Sequence, residues 1–208
     1  RFADAGGKKF FPDRLYVPDN SYRKPVLAVG ATPESITVVG DLHLDRTRRM
    51  AQRINRSEIE DLRAVWGAGP DTQVILFASE CASEMKDMGR PSPYCEFEIL
   101  EMIISNIRQT HSIVGIPVRP ECSLVVIRPH PRDVAGKYDA YAAPDSPGVI
   151  VSNAGRSTLA ILAADLILGM DSTMLFEAEA LGRTAVSLVD SSTFGQRNKT
   201  IKGGNLSA

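Results

Sequence analysis

An α/β fold built on a doubly wound parallel sheet of about five to six strands is what this sequence predicts. Three observations carry that reading. Short apolar runs recur along the chain: QVILFA, SLVVIR, VIVS, DLIL and TAVSL. They are continuous rather than alternating, as in strands buried on both faces. Stretches with apolar residues at helical spacing lie between most of them, giving βαβ units with right-handed crossovers.

Residues 1–34 are rich in Gly, Pro, Asp and Lys. They are expected to form an arm or the remnant of a preceding domain, with one strand at Leu15-Tyr16-Val17 stopped by Pro18. Ser35–Val39 is the next strand and opens the main domain, residues 35–190. Arg46, Arg48, Arg49, Arg53 and Arg56 crowd together. They suit a solvated helix face, with contact to anionic lipid or an anionic acceptor as the other reading. Ser57 is placed as the cap of a helix reaching Trp66, with Ile59, Leu62, Val65 and Trp66 on one face.

The first main strand is Gln73–Ala78. A loop over 79–93 leads to a long helix, Tyr94–Gln109, striped by Ile99, Met102, Ile103 and Ile107. Ser123–Arg128 is the second strand, followed by a short helix near Arg132–Tyr141. Val149–Ser152 precedes a helix at Ser157–Ala163. Asp165–Leu168 precedes a helix at Ser172–Leu181, and Thr184–Leu188 is the last strand. Residues 191–208 are polar and Gly-rich, a tail expected to be flexible.

Composition excludes several classes. With 24 Lys+Arg against 25 Asp+Glu the net charge is −1, without the basic excess of a general nucleic-acid binder. Three cysteines without close pairing suit free thiols in a reducing compartment. No run is long enough to span a bilayer, and no signal peptide is visible. The chain starts with Arg1 rather than Met, so a fragment is expected. Phosphate-loop and dinucleotide fingerprints are missing, as is a Gly-x-Ser-x-Gly elbow. His43, His111 and His130 lie far apart and away from the cysteines, so no metal site is expected.

Ligands of such sheets bind outside the carboxyl ends of the strands. That selects three loops, Ser79–Pro93, Arg128–Asp133 and Gly169–Thr173, and the last two carry suitable chemistry. Gly169-Met170-Asp171-Ser172-Thr173 joins a buried strand to a helix start, where free N–H groups attract phosphate. Gly169 is expected to let the backbone come close, and the Ser172 and Thr173 hydroxyls can donate. Asp171 or Ser172 also suits plain helix capping. Glu177 lies one turn beyond Thr173 and could take both hydroxyls of a ribose; an exposed carboxylate is the plainer reading. In Arg128-Pro129-His130-Pro131-Arg132 two prolines fix the backbone and aim His130 at the sheet mouth. Its imidazole can donate to phosphate, with Arg128 and Arg132 as forked donors.

Taken in order, these segments resemble the nucleotide-binding half of a GT-B-type glycosyltransferase. The branch they are most similar to holds the CDP-glycerol glycerophosphotransferases and capsule polysaccharide enzymes. The resemblance rests on Val38-Val39-Gly40-Asp41-Leu42-His43-Leu44-Asp45, on Val125–Pro131 with its His-Pro, on Ala164–Glu177, and on Leu181-Gly182-Arg183-Thr184-Ala185-Val186. It covers about Pro12–Leu188. It implies a Rossmann-like domain, one half of a GT-B fold. His130, Ser172 and Thr173 would then meet donor phosphates, with His130 catalytic, and Glu177 would lie at the ribose.

The implied partners are a nucleotide-activated sugar or alcohol donor, a polysaccharide or lipid-linked acceptor and a missing N-terminal domain. No cofactor is implied. The implied location is cytoplasmic, peripheral to the inner face of the plasma membrane. Met170-Asp171-Ser172-Thr173 departs from the usual Asp-Tyr-Ser-Ser, and Thr184 from a common Pro. Two rival readings stand beside this one. A UDP-sugar 2-epimerase shares the Glu-Ala-x-x-Leu-Gly ending, but its His-Arg-Arg-Glu-Asn is replaced here by Phe77-Ala78-Ser79-Glu80. A non-catalytic α/β interaction module is the other.

Overall fold

The computed structural model describes residues 10–89, 92, 94–145 and 147–189. The expected tail, 191–208, lies outside the described residues. The chain divides into two compact units between Thr47 and Arg48.

The first unit holds β1 (Leu15–Val17), α1 (Asn20–Ala28) and β2 (Ile36–Val38). β1 and β2 pair in parallel, with Leu15 opposite Ile36 and Val17 opposite Val38. Val17, Ala31 and Ile36 form a small core. The expected boundary at 34/35 is therefore displaced: β2 pairs with β1 and belongs to the first unit rather than opening the second. The Asp19 carboxylate caps α1, accepting the Ser21 N–H at 2.6 Å. α2 (Leu42–Ala51) carries the chain across the division.

In the second unit α3 (Arg56–Val65) is started by Asn55, not Ser57. The Asn55 side chain accepts the Glu58 N–H at 2.9 Å, and the Glu58 carboxylate accepts the Asn55 N–H at 3.0 Å. This reciprocal box satisfies two end donors at once. β3 (Gln73–Ala78) follows, then α4 (Ala82–Asp87), a helix inside the expected loop. α5 (Glu96–Thr110) ends at His111. A hairpin of β4 (Ser112–Ile113) and β5 (Ile116–Pro117) turns through Val114 and Gly115, both at positive φ.

β6 (Ser123–Arg128) is followed by turns and one 3-10 turn at Asp139–Tyr141, not by the helix expected over 132–141. Gly136, at φ +79°, breaks helical continuity there. β7 (Gly148–Val151), α6 (Ser157–Ala163), β8 (Leu166–Gly169), α7 (Thr173–Ala180) and β9 (Ala185–Ser187) complete the unit.

Its sheet has the order β7-β6-β3-β8-β9, with every pair parallel. Period-two alternation sorts the buried residues to its two faces. Ile75, Phe77, Val125, Ile127 and Leu168 pack with Ile99, Leu100, Ile103 and Ile107 of α5. Val74, Leu76, Val126 and Ile167 pack with Leu62, Trp66, Ala160, Ile161 and Leu175 from the α3, α6 and α7 side. This is the expected doubly wound α/β sheet, with five strands. Among the described residues no helix is long and apolar enough to cross a membrane.

Candidate functional site

The strand order reverses between β3 and β8, so the switch point lies at the carboxyl ends of those two strands. Register places Arg128 of β6, Ala78 of β3, Gly169 of β8 and Ser187 of β9 in one row. The sequence-selected strand exits therefore open on the same edge, with the His130 turn on one side of β3 and the Ser172 cap on the other.

Ser172 is the N-cap of α7, and its Oγ accepts the Met174 N–H at 3.3 Å. Capping and phosphate donation are not exclusive, since the hydroxyl hydrogen stays available while the oxygen accepts. Thr173 opens the helix and is exposed. Glu177, one turn on, is buried at 6% exposure, unlike the solvated Glu179.

Arg128 feels the charge of Glu177. Its guanidinium also donates to the carbonyls of Ala154 at 3.1 Å and Gly155 at 2.8 Å. Burial draws its pKa below the ordinary arginine value, and Glu177 opposes that shift. Two of its donors are thus committed to the β7–α6 loop, which limits the expected fork on a ligand. What Arg128 does visibly is bind that loop and compensate Glu177.

His130 sits in a self-bonded turn. Its N–H donates to Asp133 Oδ2 at 2.7 Å, and its Nδ1 accepts the Arg132 N–H at 3.1 Å. With Nδ1 accepting, the proton of the neutral ring is on Nε2, which makes that nitrogen a donor. Arg132 itself is exposed.

Gly169 has a packing role. A Cβ there would lie 3.2 Å from the Ala78 carbonyl oxygen and 3.6 Å from Leu175 Cδ1. The residue is fully buried in the sheet. The crowding from β3 and α7 is by itself a reason for glycine at this position. Gly169→Val is expected to destabilise the chain by about 1–3 kcal/mol, read as a lower urea midpoint at unchanged slope.

Asp171 is tied by its backbone. Its N–H donates to Glu80 Oε1 at 2.5 Å, and the Tyr94 hydroxyl donates to Glu80 Oε2 at 2.6 Å. Burial raises the Glu80 pKa, as do the charges of Asp171 and Glu96, against the two hydrogen bonds. Beside this bridge lies a buried cluster. Lys137 Nζ meets Glu84 Oε2 at 2.8 Å, Asp133 Oδ1 at 2.8 Å and Glu96 Oε1 at 2.5 Å. Glu96 also accepts the Ser83 N–H at 3.1 Å, so a protein carboxylate already fills the start of α4. The Tyr138 hydroxyl bonds Ser79 Oγ. Together these groups tie the loop after β3 to those after β6 and β8.

Sequence reasoning missed Glu80, Tyr94, Glu96 and Lys137. One signal was available: Glu96 lies on the same stripe as Ile99, Leu100, Ile103 and Ile107, so a carboxylate occupied an inward position. A cleft of about 600 Å³ lies at the opposite, amino-terminal end of the sheet, lined by Arg63, Thr72, Gln73, Arg119 and Asp165. Its Arg63 is committed to Ala163 O, Asp165 Oδ2 and Thr72 O, so the cleft's most buried cation serves the sheet's foot. Among the described residues no cluster could hold a metal ion.

No protein-family model matches this chain. No curated protein matches it either. Solved structures do. The wall teichoic acid polymerase TagF is similar at 16% identity and TM-score 0.52, over 89% of this chain and 41% of that one. The UDP-GlcNAc 2-epimerase of Methanocaldococcus jannaschii, solved with UDP-GlcNAc and UDP, is similar at 18% identity and TM-score 0.57, over 86% and 46%. A putative UDP-N-acetylglucosamine 2-epimerase of Listeria monocytogenes is similar at 20% and 0.53, over 86% and 43%. This chain thus spans less than half the length of each. The shared feature is the fold: the parallel sheet is that of a Rossmann-like half of a GT-B architecture.

Proposed function

We propose that this chain is the donor-nucleotide-binding half of a GT-B-type transferase acting in cell-surface polysaccharide synthesis. The observation that carries the reading is the row of strand ends at the switch point. It sets the His130 turn and the Ser172 cap on either side of β3, with Arg128 in the row itself and the buried Glu177 one turn into α7. Fold similarity to proteins named for a teichoic acid polymer and for UDP-GlcNAc supports a nucleotide-activated donor.

In this reading the first-turn N–H groups of α7 and the Ser172 and Thr173 hydroxyls hold the donor phosphate. His130 Nε2–H donates to the phosphoryl oxygen that gains charge as the bond to the transferred group breaks. That is electrostatic stabilisation of a leaving group by fixed donors. The acceptor hydroxyl loses its proton to a base in a preceding domain. The exposure of Tyr16, Val38 and Leu42 supports such a domain, because parallel strands are ordinarily covered on both faces. The setting proposed is the cytoplasmic face of the plasma membrane, with a lipid-linked or polysaccharide acceptor.

The test is calorimetric titration of the 208-residue chain with CDP, UDP, GDP and CMP, beside His130→Ala and Ser172→Ala. Saturable binding of one nucleotide is expected, weakened about tenfold or more in His130→Ala by loss of a hydrogen bond to a charged group. Ser172→Ala is expected to weaken it as well. Equal affinity in all three proteins removes the phosphate from this edge of the sheet.

A further inference from the structure

Glu80 leaves β3 at the point where the strand order reverses. Its carboxyl group crosses to the β8–α7 loop and holds the Asp171 N–H at 2.5 Å, while the Tyr94 hydroxyl fixes its second oxygen at 2.6 Å. The backbone donor two residues before α7 therefore already faces an anionic oxygen, and that oxygen belongs to the chain itself. The bond joins segments 91 residues apart, so it is a tertiary feature rather than a local cap.

We propose that Glu80 is a built-in competitor for the donor-phosphate site, occupying the Asp171 N–H until a phosphate oxygen displaces it. This rests on the donor-site reading above and assigns that site its regulation. Two anions cannot share one N–H in a partly buried crevice without strong repulsion. Ligand entry therefore requires the Glu80 side chain to swing away or to take up a proton.

The surroundings favour proton uptake. Among the described residues, the titratable groups acting most strongly on Glu80 are Tyr94, Asp171 and Glu96, none of them a cation. The nearby Lys137 is committed to Glu84, Glu96 and Asp133. Burial and the two acidic neighbours already raise the Glu80 pKa, and an arriving phosphate raises it further. Ligand binding is then linked to proton uptake, so affinity increases as pH falls through the Glu80 range.

The experiment titrates wild type, Glu80→Gln and Glu80→Ala with CDP and with UDP, at neutral pH and about two units lower. Each protein's thermal midpoint confirms folding. The expected result is an affinity gain of about tenfold in Glu80→Ala from relief of like-charge repulsion. A smaller gain is expected in Glu80→Gln, which keeps the shape and loses the charge. Wild-type affinity should approach that of Glu80→Gln on acidification. Glu80→Gln lacks only the Glu80 carboxyl, so its own pH slope is the baseline.

Equal or weaker binding in the folded variants overturns the proposal and leaves Glu80 as a brace between two loops. If Glu80→Ala fails to fold, Glu80→Gln carries the comparison. Absence of saturable binding in wild type and variants alike overturns the donor-site reading, and the competitor with it.

Discussion

Lys137→Met is expected to destabilise the second unit by about 3–5 kcal/mol, the usual result of removing one partner from a buried charge cluster. Methionine keeps much of the stem that lies against the rings of Phe97 and Tyr138, whose centroids are 5.5 and 5.4 Å from Nζ. What is lost is the ammonium paired with Glu96, whose side chain is fully buried, and with Asp133, which is almost so. Glu84 is partly solvated and contributes less. Urea unfolding at neutral pH checks the value through a lower midpoint at constant slope. Glu96→Gln added to Lys137→Met should recover part of the loss, because the stranded charge is then gone.

The cluster also fixes the sign of a pH dependence. Burial pushes the Glu96 carboxyl up, but Lys137 and the Ser83 hydroxyl and N–H outweigh it and hold the group below the usual 4.5. Glu84 is held below its usual value by the same ammonium and by Ser83. Their contribution is therefore complete above about pH 4.5 and is lost as pH falls through the depressed folded values. Lys137 is raised above its usual 10.5, so its share is complete below that pH and is lost only at higher alkalinity. Lys137→Met should flatten the acid limb that these carboxylates give the wild-type stability profile.

Arg128→Met is the second large effect, about 3 kcal/mol of stability. It leaves the carbonyls of Ala154 and Gly155 without their guanidinium donors and removes a positive charge that acts on Glu177. The double variant with Glu177→Gln should be less destabilised than the sum of the single changes, by about 1 kcal/mol or more. Nucleotide affinity should fall in Arg128→Met too, because the β7–α6 loop loses its tether beside the proposed site. Arg132→Ala, exposed four residues later, should stay within about 0.5 kcal/mol of wild type.

The strands of the main sheet were legible because each is an unbroken apolar run, and the Ser172 cap because it follows one directly. What the runs do not encode is pairing. Ile36–Val38 reads equally well as the start of one unit or the end of another, and only its register with Leu15–Val17 decides. α1 was illegible because it contains Pro25 and buries no residue, so no stripe marks it. Within the site, Arg128, His130, Ser172 and Glu177 were legible as strand exits and first-turn positions. The packing role of Gly169 was not legible, because its neighbour Ala78 lies far away in sequence. The bonds of Glu80 to Asp171 and of Lys137 to Glu84 were invisible for the same cause, spanning 91 and 53 residues.

The position of β3 has a consequence for how the chain is made. β3 is the first strand of its sheet to be synthesised, and its second neighbour, β8, follows only after β6 and β7. Its Val74 N–H waits for the Asp165 carboxylate, 91 residues later. A ribosome-bound chain that has not yet delivered β8 exposes one open edge of Val74, Ile75, Leu76 and Phe77, all of them without solvent access in the finished fold. Such an edge templates pairing with other chains. Closing so large a loop also slows folding. Nascent chains released before Leu166 should accumulate as aggregates or as chaperone-bound species, while those released after β9 should not.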